Sequence, residues 1–275
     1  MLPVAKPLAK TKSEMKREVE SLLSAEFINV KPQYNLEEVG RDGVIGVILL
    51  STDVNSEQDL RLMYPSTVRC FVTRTPSCNP ITRENLINAS EGITAAADVI
   101  LPGTKLDAVL YGCTSGAIIC GADRIAGLIN EARPGVPVSN PACAALAAFE
   151  ALRAKRVSLL TPYVEDVNRE VARFFKRNGF KVLTVGGFGV ADDADMTAIT
   201  PADIEKAAVD TCHPDADLVF ISCTAMRASE AVDGIEKKLG IPAVSSNTAL
   251  VWQSLKNIGY RKPIEGFGVL LSENL

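Results

Sequence analysis

A chain of 275 residues, 47% hydrophobic and 23% charged, has the size and composition of a globular protein with a substantial core. A net charge of −4 without a basic stripe argues against a nucleic-acid partner, and apolar runs as short as "VIGVILL" (44–50) cannot span a bilayer. Seven cysteines, an odd number with no Cys-x-x-Cys spacing, indicate neither a disulfide framework nor a zinc ribbon.

Residues 1–42 read as an extension. Its stretch "TKSEMKREVESLLS" (11–24) can form an amphipathic helix suited to a subunit contact, so a homo-oligomer is expected. The segment has lysines but no apolar signal core, and a cytoplasmic location is expected. Strands are then predicted at 44–50, 68–73, 107–111, 136–139, 156–160, 181–185, 217–222 and 241–245. Helical patterns lie between them at 82–101, 122–132, 142–154, 164–179 and 201–212. Continuous apolar strands alternating with helices imply an α/β protein, with parallel sheet covered on both faces.

The pattern repeats. "VILLSTD" (47–53) matches "VSLLTPY" (157–163), "ITRENL" (81–86) resembles "ITPADI" (199–204), and "VPVSNPACAAL" (136–146) resembles "IPAVSSNTAL" (241–250). "LDAVLYGCTSG" (106–116) and "ADLVFISCTAM" (216–226) each end an apolar strand on Cys-Thr, placing Cys113 and Cys223 110 residues apart. Two related α/β halves follow, assigned as 43–150 plus 248–275 (with Cys113) and 151–247 (with Cys223). The chain end, "VWQSLKNIGYRKPIEGFGVLL" (251–271), is expected to cross back onto the first half.

In parallel sheets, ligands bind beyond the strands' carboxyl ends, where helix N-termini point inward. The amides of 113–116 and 223–226, with the hydroxyls of Thr114, Ser115 and Thr224, would suit a carboxylate. The same field would lower the thiol pKa values toward neutrality. Two thiols on opposite faces of a small substrate suit racemisation, or reversible thiolate addition to an activated double bond. The single histidine, His213, precedes Pro214 and reads as a loop residue, which leaves acid–base work to thiols, carboxylates and tyrosines. Cys70, Cys120, Cys143 and Cys212 read as space-filling, and Cys78 as a loop residue. Three other readings compete. A dinucleotide site at "VGGFGVAD" (185–192) has Asp192 where the third glycine belongs. A non-catalytic binding protein would need no pair of reactive thiols, and space for a substrate between the thiols argues against a redox pair.

"GCTSG" and "SCTAMRA", with "LLTPY" and "SSNTALVWQSL", resemble the aspartate/glutamate racemase superfamily. Within it they resemble the branch of maleate cis-trans isomerase, arylmalonate decarboxylase and the ectoine-utilisation EutA group, over about residues 43–258. The resemblance implies two Rossmann-like domains related by a pseudo-twofold, an active site in the cleft between them, and no metal or other cofactor. It makes Cys113 and Cys223 the catalytic pair. Thr114, Ser115, Tyr163 and Thr224 become carboxylate-binding residues. Arylmalonate decarboxylases carry glycine at the first cysteine position, so Cys113 favours isomerase or racemase chemistry. Where maleate isomerases carry two asparagines, this chain has Asp53 and Asp193. Two carboxylates beside a substrate carboxylate imply a ligand that brings a cation, such as an amino acid. With "STDVNSEQDL" and "NPITRENL", this pattern is closest to EutA. The alternative within the resemblance is a maleate isomerase acting through a covalent Cys113 adduct. Both aspartates could instead simply bond to their own loops.

Overall fold

The computed structural model describes residues 10–23, 28, 30 and 34–275. Among these, the predicted helix of the extension is α1 (Lys12–Leu23), capped by reciprocal bonds between Thr11 and Glu14. Ser24, like residues 1–9, lies outside the described residues. Residues 39–275 form a separate compact unit.

That unit contains the predicted repeat. Its first half runs β1 (Gly43–Leu50), α2 (Ser56–Met63), β2 (Val68–Thr75), α3 (Arg83–Ser90), α4 (Ile93–Asp98) and β3 (Ala108–Tyr111). It continues with α5 (Thr114–Cys120), α6 (Ala122–Ala132), β4 (Val138–Ser139) and α7 (Pro141–Ala151). The second half runs β5 (Arg156–Thr161), α8 (Glu165–Arg177), β6 (Lys181–Gly187), α9 (Asp193–Ala198) and α10 (Pro201–Thr211). It ends with β7 (Leu218–Ile221), α11 (Val232–Leu239), β8 (Ala243–Ser245), α12 (Ser246–Asn257) and α13 (Val269–Glu273).

Each half folds a four-stranded, wholly parallel sheet. The strand orders, β2-β1-β3-β4 and β6-β5-β7-β8, are the same arrangement. The inner strands β3 and β7 are buried throughout, as parallel strands covered by helices on both faces must be. All eight predicted strands are present. One predicted helix is not continuous: 82–101 breaks between α3 and α4 at Gly92. A Cβ there would sit 2.5 Å from Thr75 Oγ1 and 2.7 Å from Pro76 Cδ, so only glycine lets this turn approach the end of β2.

The helix that follows the last strand of each half, α7 or α12, lies against the other half. Phe149, on α7, packs its ring 5.3 Å from Phe220 on β7, 5.2 Å from Phe175 on α8 and 5.2 Å from Phe180. In return α12 packs on α2, β3 and α7, and Ser254 bonds to the Tyr64 hydroxyl at 2.6 Å. Both helices are rich in small buried residues, which allows close approach: Ala142, Ala144, Ala145 and Ala148 on α7, Ser246, Thr248 and Ala249 on α12. Of the C-terminal segment, α12 thus lies on the first half as α7 lies on the second, whereas Gly268 and Val269 at the start of α13 bond to Asp233 and Glu236 on α11 of the second half. Phe149→Ala empties the centre of the aromatic cluster and should cost about 3–5 kcal/mol, read as a lower urea midpoint with an unchanged slope.

Candidate active site

Strand β3 delivers Cys113 to the N-terminus of α5. Cys113 is that helix's N-cap, in extended conformation, and its sulfur accepts the Gly116 N–H at 3.3 Å. The Ser115 hydroxyl lies 3.7 Å from the same sulfur. Gly116 is required here, since a Cβ would meet the Tyr111 hydroxyl at 2.7 Å and the Cys113 sulfur at 3.0 Å. Thr114 turns elsewhere and donates its hydroxyl to Ser246 at 2.8 Å.

Cys223 occupies the equivalent place after β7, but no helix starts there. Residues 222–231 form a loop, and α11 begins only at Val232. The expected second helix N-terminus is thus absent. Side chains hold the loop instead. The Thr224 carbonyl accepts from Asn55 Nδ2 (3.1 Å), Ser56 Oγ (3.2 Å) and Asn247 Nδ2 (2.9 Å). The Met226 carbonyl accepts from Asn55 and the Ala225 carbonyl from Thr197. The Thr224 hydroxyl reaches the Gly112 carbonyl of the first half at 3.1 Å.

One cavity is lined by Leu50, Asp53, Ile81, Cys113, Ser115, Tyr163, Asp193, Cys223 and Thr224. Both halves contribute, and seven of the eight residues singled out from sequence meet there; Thr114 does not line it. The space is roughly that of one water molecule, so any substrate larger than this must open it. The segment above it spans the halves: Ser77 bonds to Ser51 and Thr52, the Asn79 side chain accepts from Asp193 N–H, and the Ile81 N–H donates to the Ala191 carbonyl. Among the described residues, no Lys, Arg or His lines the cavity.

The two aspartates differ. Asp53 accepts from the Asn55 and Ser56 N–H groups (2.9 and 2.8 Å) and from the Ser56 hydroxyl (2.5 Å), so its carboxylate is bound into the start of α2. Asp193 accepts only from Thr52, through Oδ2 at 2.5 Å, which leaves Oδ1 without a partner among the described residues. Burial, with Asp53 and Asp192 adding repulsion, raises the Asp193 pKa.

The thiols correct an expectation. Burial pushes Cys113 up to about 12, against the opposing pull of Gly116 N–H and Ser115. Burial and then Asp193 raise Cys223 further, against Tyr163 and the Ala225 N–H. Desolvation in a closed, anionic cavity outweighs one helix terminus, so both thiols are neutral in this state. Cys113 is the easier of the two to ionise.

The sequence profile of the arylmalonate decarboxylase family matches residues 46–271. The chain belongs to this family. Arylmalonate decarboxylase of Bordetella bronchiseptica is 30% identical over 186 residues, covering 65% of this chain and 72% of that one. Maleate isomerase of Geobacillus stearothermophilus is 23% identical over 244 residues, covering 83% and 96%. Among solved structures, a liganded double mutant of arylmalonate decarboxylase matches with a TM-score of 0.76 at 25% identity, covering 84% of this chain and 99% of that one. A Nocardia farcinica maleate cis-trans isomerase mutant with a covalently bound succinylcysteine intermediate matches in fold with a TM-score of 0.75 at 23% identity, covering 84% and 98%. The family's two-domain Rossmann-like architecture is the one found here. Among the described residues, no helix is long and apolar enough to cross a membrane.

Sequence reasoning missed the residues beneath the cavity. Asn55 and Ser56 sit in the quoted "STDVNSEQDL", where Asp-x-Asn-Ser is a helix-start signal. Asp59 and Asn247 carried no local signal. His213 is in a loop, where it was expected, and its Nδ1 accepts the Asp215 N–H.

Two measurements check these electrostatics. Iodoacetamide alkylation of Cys113 should rise about tenfold per pH unit from pH 6 to 9 with no plateau, because only the thiolate reacts. Asp59, desolvated by burial, is pushed up to about 6. The folded state then holds this proton more tightly than the unfolded chain. Its stabilising contribution is present at acid pH and lost as pH rises through about 6. Asp59→Asn should therefore gain stability relative to the parent between pH 4 and 7, by up to about 3 kcal/mol in denaturant titrations.

Proposed function

We propose that the protein is a cofactor-independent isomerase acting on a small carboxylate, with Cys113 and Cys223 as the two reacting thiols. The observation that carries this reading is their convergence, one from each half, on a single closed cavity. In the racemase form, the Cys113 thiolate removes the α-proton from one face while the Cys223 thiol delivers its own proton to the other. The order follows from the hydrogen bonds: the Cys113 sulfur accepts the Gly116 N–H at 3.3 Å, whereas the Cys223 thiol donates to Met196 Sδ at 3.9 Å, and Asp193 disfavours both thiolates. Ser115, Tyr163 and Thr224 supply donors around the substrate carboxylate, and Thr114 supports the site through Ser246.

The substrate is amino-acid-like. A dianion would add two charges to a cavity that already holds Asp53 and Asp193 and, among the described residues, has no cationic side chain on its wall. An ammonium group against the unpartnered Asp193 Oδ1 would cancel that carboxylate's push on both thiols, so the substrate itself would help to form the thiolate. Asp53 serves mainly to hold its loop. On this reading the protein is of the EutA-like, ectoine-degradation type. The second reading, maleate cis-trans isomerisation through a covalent Cys113 adduct, draws on the same greater ease of ionising Cys113 and on the maleate isomerases among the relatives.

One paired experiment separates them. Under the racemase reading, incubation with amino acids in D2O puts deuterium at the α-carbon, and Cys113→Ser and Cys223→Ser each reduce turnover at least about 100-fold. Each variant should block exchange from one enantiomer preferentially. Under the second reading, no exchange occurs, and Cys223→Ser incubated with maleate carries one maleate-sized adduct on Cys113. Asp193→Asn should abolish any preference for an amino acid over its deaminated analogue. An unchanged preference would remove the ammonium group from the proposal.

A further inference from the structure

Below the cavity, a buried polar chain runs from α2 to the Cys223 loop. Asp59, 1% exposed, accepts from the Ser229 hydroxyl and from Asn247 Nδ2 at 2.8 Å. The same Asn247 nitrogen donates to the Thr224 carbonyl at 2.9 Å. Asp59 Oδ1 and Asn247 Oδ1 are both buried without a partner. Two orphaned acceptors in so dry a place are costly, and apolar residues of the same size would avoid that cost. The arrangement must therefore serve something other than packing.

We propose that Asp59 is a positioning residue for Cys223, acting through Asn247 to fix the Thr224–Ala225 peptide so that its N–H faces the Cys223 sulfur. A trans peptide is planar, with its C=O and N–H opposed. The Thr224 carbonyl is held by Asn55, Ser56 and Asn247, so the Ala225 N–H is turned to the opposite side of that peptide, the side on which it acts on Cys223. That N–H favours ionised Cys223. The Asn247 nitrogen serves both acceptors at once, so Asp59 fixes the side chain that holds the Thr224 carbonyl. Cys113 needs no such device, because the first turn of α5 supplies its N–H. Where the second half lacks that helix, the buried carboxylate and amide do the equivalent work.

The groups facing Cys223 are Asp193, Tyr163 and Cys113, while Glu230 faces Asp59. Charge and positioning predict opposite signs. If Asp59 acted only as a negative charge, its removal would ease ionisation of Cys223. If it positions the peptide, Asp59→Ala hinders ionisation.

The test is per-residue iodoacetamide alkylation of the full chain from pH 6 to 10, read by peptide mass spectrometry. Cys223 in Asp59→Ala should react about 3- to 10-fold more slowly at pH 8, with Cys113 unchanged. Asp59→Asn keeps a carbonyl acceptor for Asn247 and should restore the parental Cys223 profile. Should Asp59→Ala fail to fold, Asn247→Ala carries the same expectation without a change of charge. Faster or unchanged Cys223 alkylation in these variants, or an equal slowing of Cys113, overturns the proposal. Its catalytic consequence rests on Cys223 being a reacting thiol; the alkylation profile does not, so the two can fail separately.

Discussion

The exchange of helices between the two halves is the constraint on which the site depends. In each half the helix after the last strand is rich in small residues and buries its surface on the other half, α7 through Phe149 and α12 through Ser254 and its buried face. Neither half can complete its own core, so the mouths of β3 and β7 are held against each other. Two cross-seam bonds, Thr114 to Ser246 and Thr224 to Gly112, sit at the cysteines themselves. Both threonines of the Cys-Thr repeat tie the halves together beside the thiols.

Duplication did not produce two equal sites. The first half places a helix directly after its cysteine, and the backbone turns an N–H onto the sulfur at no cost beyond the cap itself. The second half replaces that helix with a loop, whose carbonyls are satisfied by Asn55, Ser56, Asn247 and Thr197. The two thiols consequently differ in how readily they ionise.

A closed, water-poor cavity with two carboxylates is hostile to a thiolate. The same closure strengthens every interaction made inside once a substrate of the right charge enters. The bridge formed by Ser77, Asn79 and Ile81 across the seam makes the opening of the cavity part of any turnover.

The local sequence alone determined the strands, the duplicated α/β plan and the pairing of Cys113 and Ser115 with Cys223 and Thr224, while Asp53, Tyr163 and Asp193 were named through the family resemblance. Apolar runs, turn residues and a repeated Cys-Thr are short-range signals that burial enforces directly. Tertiary structure decided the rest. Gly92 breaks a helix because β2 passes within contact of it. Thr114 turns from the cavity because Ser246, 132 residues away, is its partner. The thiols are held neutral because desolvation depends on what the other half covers. Asp53 is spent on its own loop while Asp193 keeps an open oxygen, although both read alike as acids beside a repeat. The roles of Asp59 and Asn247 were invisible for the same reason: they are 188 residues apart in the chain and meet only when α12 crosses over.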